Sequence, residues 1–427
     1  VALLATWDLA GHPFRTVGLV ALGIAGVAWA ALRLERAAVV SPLALLSVAV
    51  LLRALLLPLP PTLSDDVLRY VWDGRVLSAG FDPYRLAPEA AELEPLRDEL
   101  WERLPHRQVP TVYPPLALVV FGVASRSPAP ILTLKVLLSL ADAVGCALLF
   151  WLAARRGLPP GRALWYAWNP LVVLEVAGMG HVEGLGVVAC LAAVALLADR
   201  PARQVAAGVA AAAAILAKLV PFVAFPAWAR QSPKPVLFAG VALVLVALAC
   251  APFLLAGGIP QGHVTFGISW EFNGPFWEPL WRVLDRLGAP RAVEGLLDGF
   301  KERWGHADLW NRFYPYNYPQ LLAKAALALP LVFVLPLIWR REDLVLATGA
   351  AFGALLLCSA TVYPWYLLWI LPWAALARQP AWLLLSATLP LAYLPQFTDL
   401  SLMPWVFLGI WAPFFLALLR WPRWSIA

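Results

Sequence analysis

Long apolar runs, interrupted by two polar stretches, organise the whole chain. The runs occupy 16–34, 39–58, 130–154, 162–178, 184–199, 203–217, 219–230, 236–257, 320–340, 343–361, 365–378, 381–396 and 403–420. A straight crossing of the bilayer needs ~20 predominantly apolar residues, so the longer runs read as membrane-spanning helices and the shorter ones as broken helices. The polar stretches are 59–113 and 258–319. The pattern predicts an all-α polytopic membrane protein: one helix bundle of about 13 spans over 1–427, with two long loops carrying interfacial helices. No internal repeat is evident. The run 114–126 is apolar but short, and is expected to be re-entrant or interfacial. Pro170, Pro221, Pro226, Pro252, Pro330, Pro336, Pro372 and Pro390 fall inside apolar runs, where each is expected to kink or break a helix.

Composition removes the other classes. Hydrophobic residues make up 62% and charged residues 14%, with a mean hydropathy of +0.75. Soluble globular, disordered and fibrous chains are excluded, since a soluble domain of this length needs far more charge to cover its surface. The net charge of +6 comes with arginines at one set of run ends: Arg33, Arg36, Arg155, Arg156, Arg162, Arg200, Arg203, Arg230, Arg340, Arg341, Arg378, Arg420 and Arg423, with Lys234. The positive-inside rule makes those ends cytoplasmic and puts both polar loops outside, so no nucleic-acid partner is expected. Cys146, Cys190, Cys250 and Cys358 lie in apolar runs without CxxC spacing and read as core residues. No charged region precedes a cleavable apolar stretch at the N-terminus, so no signal peptide is expected.

The first polar stretch carries the most chemistry. It contains Ser64-Asp65-Asp66-Val67-Leu68-Arg69-Tyr70-Val71-Trp72-Asp73-Gly74-Arg75. Ser64 is a suitable cap for a helix starting here. Asp66, Arg69, Tyr70 and Asp73 then share one face, and the apolar residues on the other faces suggest an amphipathic helix lying at the membrane surface. The acidic pair suits a helix start near the positive end of the dipole. It equally suits a carboxylate base beside a cation.

Further along come Gly80-Phe81-Asp82-Pro83-Tyr84 and Tyr113-Pro114-Pro115-Leu116, then Asn169-Pro170-Leu171 with Glu175, Gly180-His181-Val182-Glu183, Lys218 with Pro221, Trp270-Glu271-Phe272-Asn273, and Tyr363-Pro364-Trp365-Tyr366 with Trp369. An early acidic pair followed by these motifs in this order resembles the GT-C superfamily, most closely the polyprenyl-phosphate-mannose-dependent mannosyltransferases of bacteria. The resemblance covers nearly the whole chain. It implies an inverting transferase in the cell membrane of a bacterium, with its site on the extracytoplasmic face. It also implies a polyprenyl-phosphate-linked hexose donor, mannose first, a glycolipid or glycan acceptor, and membrane lipids as surroundings. Within it Asp66, four residues before Tyr70, matches the catalytic base, with Asp65 as the neighbouring alternative. No DxD arrangement exists, because Ser64 stands at its first position, so no metal ligand is assigned and a divalent cation remains open. His181-Val182-Glu183 also departs from the His-x-Asp often seen in relatives.

Other polar residues fill out the expected site. Lys218 sits inside an apolar region, where a lone charge costs at least ~2.5–3.5 kcal/mol and needs a cavity, a partner or a route to the surface. Lys218, Arg69, Arg75 and His181 are the candidates to hold the donor phosphate. Tyr113, Glu183, Trp270, Asn273, Tyr363, Trp365 and Tyr366 are the candidates for sugar or acceptor contacts, although interfacial belts also favour aromatics. Lys135 and Asp142, seven apart on one helix face, read as a buried structural network. Arg53 either steers the phosphate or snorkels. No glycine-rich nucleotide cradle is present, so a soluble nucleotide-sugar donor is not supported. A transporter or flippase is the alternative reading, since broken helices and a buried lysine suit it too, and a non-catalytic envelope scaffold is a third.

Overall fold

The computed structural model describes residues 8–35, 41–257 and 260–420. Arg36, Arg423, the first residues of the runs expected at 39–58 and 258–319, and the N-terminal start lie outside the described residues. The fold is all-α. Among the described residues, only isolated bridges pair Phe272 and Asn273 with Thr361. Five helices are long and apolar enough to cross a membrane: Pro13–Leu34, Pro130–Arg155, Pro235–Gly257, Pro319–Trp339 and Leu402–Arg420. A sixth crossing is available as the pair Pro170–Gly178 and Glu183–Leu196, bent by 118°. Pro42–Leu56, Pro115–Ser125, Pro201–Ala217 and Leu344–Cys358 are apolar but shorter. The architecture is thus the expected polytopic helical one, with several of the expected runs divided into short helices.

The prolines explain much of this division. Pro13, Pro42, Pro115, Pro130, Pro201, Pro319 and Pro380 occupy the first helical positions, where a missing N–H costs nothing and the fixed φ suits a helix. Of the prolines expected to kink helices, Pro252, Pro330 and Pro336 do lie inside continuous ones. Pro170, Pro226 and Pro372 instead open short helices, and Pro221 and Pro390 stand near the start of 3-10 turns. Tryptophan also departs from the interfacial belt: Trp72, Trp228, Trp373, Trp382 and Trp411 are fully buried and fill the interior.

Buried polar networks brace the approach to the first loop. Arg53 pairs with Asp142 at 2.5 Å, and Tyr166 donates to the other oxygen of Asp142. Lys135 Nζ donates to the carbonyls of Leu57 and Leu59, at 2.8 and 2.6 Å. Arg53 therefore neither snorkels nor faces a ligand, and the structural reading of Lys135 and Asp142 gains a concrete form. Removing either partner of such a pair would leave a charge uncompensated in the interior, which is why these groups occur together.

The helix Asp66–Ser78 differs from expectation. Val67 through Gly74 are all buried, so it packs inside the protein and does not lie as an amphipathic helix on a surface. Ser64 Oγ accepts the Asp66 N–H at its start. Its closest neighbour is Pro115–Ser125: a Cβ on Gly74 would stand 2.3 Å from the carbonyl group of Phe121, so glycine permits the contact. On the other side Arg69 Nε donates to Asp73, which also accepts from Thr111 Oγ1, and the remaining Arg69 donors reach the carbonyls of His106 and Val109. One helix thereby fixes both ends of the 105–113 segment.

Candidate active site

A cavity of about 510 Å³ opens between the first loop, the second loop and the 363–366 and 218–220 segments. Its wall includes Ser64, Asp65, Asp66, Arg69, Tyr113, Lys218, Trp270, Tyr363, Trp365 and Tyr366, with His106, His263, Phe266, Gln396 and Phe397. Thus nine of the residues singled out in the sequence, drawn from four separated regions, meet at one place.

Local backbone explains how. Lys218 is the C-cap of Pro201–Ala217 and has extended geometry, so the helix stops where the lysine enters the cavity. Its ammonium pairs with the buried carboxylate of Glu183 and lies 4.8 Å above the Tyr366 ring. The sharp bend between Pro170–Gly178 and Glu183–Leu196 passes through Gly180, whose φ of +79° suits glycine, and carries His181. Leu174–Gly178 forms a π-turn, a widened turn often found at functional sites, and places Glu175 beneath His181. Tyr363 and Trp365 stack at 4.6 Å, Trp365 stacks on His181 at 4.1 Å, and Tyr366 stands edge-on to both Tyr363 and Trp365.

Asp66 is partly exposed, with 35% of its side chain accessible on the cavity side, while Tyr70 donates to it at 3.4 Å. Burial pushes its carboxyl above the ordinary carboxylate range, and the nearby His181 and Lys218 oppose that rise. Asp65 is exposed at the same rim.

Four expected site residues take other places. His181 has no exposed surface, so it cannot touch a phosphate in the cavity; its Nδ1 lies 2.9 Å from Glu175 and its Nε2 3.2 Å from Ser64 Oγ. Glu183 is likewise buried and reaches the cavity only through Lys218. Arg75 points away from the cavity to Asp98 and the Leu96 carbonyl. Asn273 is fully buried, accepts from Trp411 Nε1 and donates to the Val362 carbonyl, so it ties the second loop to the 359–362 segment. Arg69 does line the cavity, but its guanidinium is engaged by Asp73 and two carbonyls.

Sequence reasoning missed His106, His263 and the Glu175–Tyr393 pair as neighbours of the site. The chain has only five histidines, and His106, His181 and His263 all gather at or under this cavity. Their rarity was the available signal. Among the described residues no group of three or more His, Cys, Asp or Glu side chains converges as a metal site.

An all-α polytopic membrane protein with an open carboxylate–lysine cavity walled by aromatics is the class that fold and site define. Comparison makes this specific: residues 2–232, more than half of the chain, match the family described as Alpha-(1->6)-mannopyranosyltransferase, N-terminal domain, and the chain belongs to that family. It is 24% identical over 78% of its length to Alpha-(1->6)-mannopyranosyltransferase A of Corynebacterium glutamicum. It is 27% identical over 76% to a probable alpha-(1->6)-mannopyranosyltransferase of Mycolicibacterium smegmatis, and 26% identical over 74% to Alpha-(1->6)-mannopyranosyltransferase A of Mycobacterium tuberculosis. It spans 71%, 64% and 61% of those relatives, less than two thirds of the latter two. No solved structure matches the chain. The resemblance to membrane mannosyltransferases read from the motifs is borne out.

Proposed function

We propose that this protein is an inverting mannosyltransferase that moves mannose from a polyprenyl-phosphate carrier to a hydroxyl of a glycolipid or glycan, with Asp66 as the base. The observation that carries the reading is the wall of one cavity: a carboxylate, a lysine and an aromatic stack converge there, inside a chain that belongs to this family. The naming of relatives for α-(1→6) transfer supports the primary 6-hydroxyl of a mannoside as the acceptor oxygen.

The chemistry follows from the arrangement. Asp66 takes the proton of the acceptor hydroxyl as its oxygen forms a bond to C1 of the donor. The bond between C1 and the phosphate oxygen breaks, and its electron pair leaves with the lipid phosphate. Attack opposite to the leaving group turns a β-linked donor into an α-linked product. Charge grows on the phosphate in the transition state, so a preorganised cation there is the largest electrostatic aid. Lys218 is that cation; its partner Glu183 holds the ammonium in place until the phosphate arrives. The rings of Tyr366 and Trp270 line the space for the sugars, Tyr363, stacked between Trp365 and Phe272, presents only its rim, and Leu219, Val220 and Phe397 offer apolar surface for the first prenyl units.

The site lies on the extracytoplasmic side in this reading, with 59–113 as the catalytic loop and 258–319 as the second. Arginines assigned to the cytoplasmic ends meet one another's neighbours at the opposite end of the bundle: Arg162 and Arg378 both pair with Glu35, Arg156 pairs with Asp343, and Arg230 donates to the Arg340 carbonyl.

The test is Asp66→Asn, assayed with a synthetic prenyl-phosphate-mannose donor and a mannoside acceptor. Loss of the base is expected to lower kcat by about 10²–10⁴-fold with the protein still folded. Turnover near that of the unmodified chain overturns the assignment. Asp65→Asn, run in parallel, is expected to retain most activity.

A further inference from the structure

Behind the cavity wall lies a line of buried groups for which the reaction as written has no use. Tyr393 donates to Glu175 Oε1 at 2.6 Å. The second oxygen of Glu175 is 2.9 Å from His181 Nδ1. On the far side of the ring, His181 Nε2 is 3.2 Å from Ser64 Oγ and 3.9 Å from Asp66 Oδ2. Glu175, His181 and Tyr393 have no exposed surface, and Trp365 covers the imidazole face. The geometry is therefore directional: an acid–imidazole pair whose far nitrogen faces the Ser64 hydroxyl and, behind it, the carboxylate proposed as base.

The sequence builds this line by breaking a span. Glu175 belongs to the π-turn before the bend and His181 to the bend itself, and the His181 N–H also donates to the Glu175 carbonyl at 2.9 Å. Tyr393 comes from a 3-10 turn far along the chain. A fully buried glutamate needs a compensating proton or cation, and a fully buried imidazole needs a hydrogen-bond partner on each nitrogen that carries one. Glu175 Oε2 and His181 Nδ1 stand at ion-pair distance, 2.9 Å, without an aligned hydrogen bond, so the contact is strongest when the imidazole carries a proton. Around His181 and Asp66, Glu183 and Lys218 pair with each other, Asp65 stands exposed at the rim, Tyr70 donates to Asp66, and Lys135 passes close to Gly180 but spends its ammonium on the Leu57 and Leu59 carbonyls.

We propose that His181, oriented by Glu175 and Tyr393, is a positioning residue and proton acceptor behind Asp66, keeping that carboxylate ionised and receiving its proton after each transfer. This rests on the reading of Asp66 as the base. In each cycle the acceptor hydroxyl loses one proton to Asp66. That proton passes to His181 Nε2 through the Ser64 hydroxyl, 3.2 Å from the nitrogen, since the direct 3.9 Å separation exceeds a hydrogen bond, and the resulting imidazolium is held by the Glu175 carboxylate. It returns by the same route to the departing lipid phosphate, whose freed oxygen accepts it. No other reactant is needed. His181 thus acts through Asp66 and touches neither sugar nor phosphate, in keeping with its complete burial. Burial, which raises the Asp66 carboxyl, makes such a neighbour necessary, because an unaided carboxylate there would hold its proton and stop acting as a base.

Glu175→Gln keeps the shape and removes the charge. In the full-length chain reconstituted in lipid nanodiscs, with a short synthetic prenyl-phosphate-mannose donor, kcat at neutral pH is expected to fall about 10–100-fold while donor KM stays within about twofold. The acid limb of the kcat profile is expected to move to higher pH, and raising the pH is expected to recover part of the loss. An unchanged limb with normal kcat overturns the proposal. So does a rise in KM at constant kcat, which would put His181 on the phosphate. Should Glu175→Gln not fold, Tyr393→Phe decides: it deletes one hydroxyl, and a smaller shift of the same limb supports the proposal while an unshifted limb overturns it. Asp66→Asn separates the two readings. If it is inactive while the Glu175 and Tyr393 variants behave as the unmodified chain, the base stands and the relay falls; if it is active, the base assignment itself fails.

Discussion

The two polar loops of this protein are similar in length and opposite in construction. The first holds a helix buried on almost every face, tied by Arg69, Asp73 and Thr111 and pressed against Pro115–Ser125 at Gly74. The second carries the helices Trp277–Arg286 and Ala289–Trp304, and leaves Leu287, Leu296, Trp304 and Phe313 exposed on and beside them. Among the described residues its tightest contacts fall within 262–278, where Trp277 and Glu278 are also buried. Gly262 packs against the carbonyls of Pro110 and Thr111, and Asn273 is bound to Val362 and Trp411. Positional precision is thus concentrated where Asp66 must be held, since a misplacement of about 1 Å is enough to cost ~10²-fold in rate. The outer part of the second loop carries no comparable constraint.

Breaking the first loop should therefore cost the most. Asp73→Ala leaves the Arg69 guanidinium buried without its carboxylate, and is expected to destabilise the protein by about 3–5 kcal/mol, read as a lower apparent melting temperature in detergent. Lys218→Met removes the cation between the loops. It is expected to lower kcat/KM for the lipid-linked donor by about 10²–10³-fold, and also to lower the melting temperature, because the buried Glu183 carboxylate loses its partner. Gly74→Ala forces a Cβ onto the Phe121 backbone and is expected to cost about 1–3 kcal/mol while slowing turnover by displacing Asp66.

The pH profile sharpens the same contrast. As the proposed base, Asp66 needs to be a carboxylate, and burial raises its proton affinity, so activity is expected to fall as pH drops through that raised value. The acid limb is expected above the usual carboxylate range, measured as kcat against pH. At the small end, Leu296→Ala in the exposed part of the second loop is expected to change stability by no more than about 0.5 kcal/mol and to leave turnover with a short mannoside unchanged. A large effect there would show that catalysis depends on the second loop no less than on the first.

Much of the candidate site was legible as residue types in order. Asp66, Lys218 and the Tyr363–Tyr366 group were marked by being polar or aromatic where apolar residues were expected. What could not be read was the direction of each side chain. His181 and Glu183 looked like ligands, yet the bend at Gly180 turns both inward. Arg75 shares a helix with Asp66 but leaves it on another side and pairs with Asp98. Asn273 looked like a sugar contact and instead fastens two backbone segments. Tyr393 and Glu175 were invisible as partners because they lie 218 positions apart.

The sequence alone determined that the chain is a helical membrane protein with two polar loops, because hydrocarbon permits few charges and requires backbone groups to pair within helices. It also named the carboxylates and the lysine, whose presence among apolar neighbours demands a reason. Only the tertiary structure decided which helices run straight and which break at Gly180 or stop at Lys218. It alone decided that the Asp66 helix is buried, and which polar groups face the cavity and which hold it from behind. Those outcomes depend on contacts between distant segments, where a single close approach such as Gly74 on Phe121 fixes an orientation that no local pattern contains.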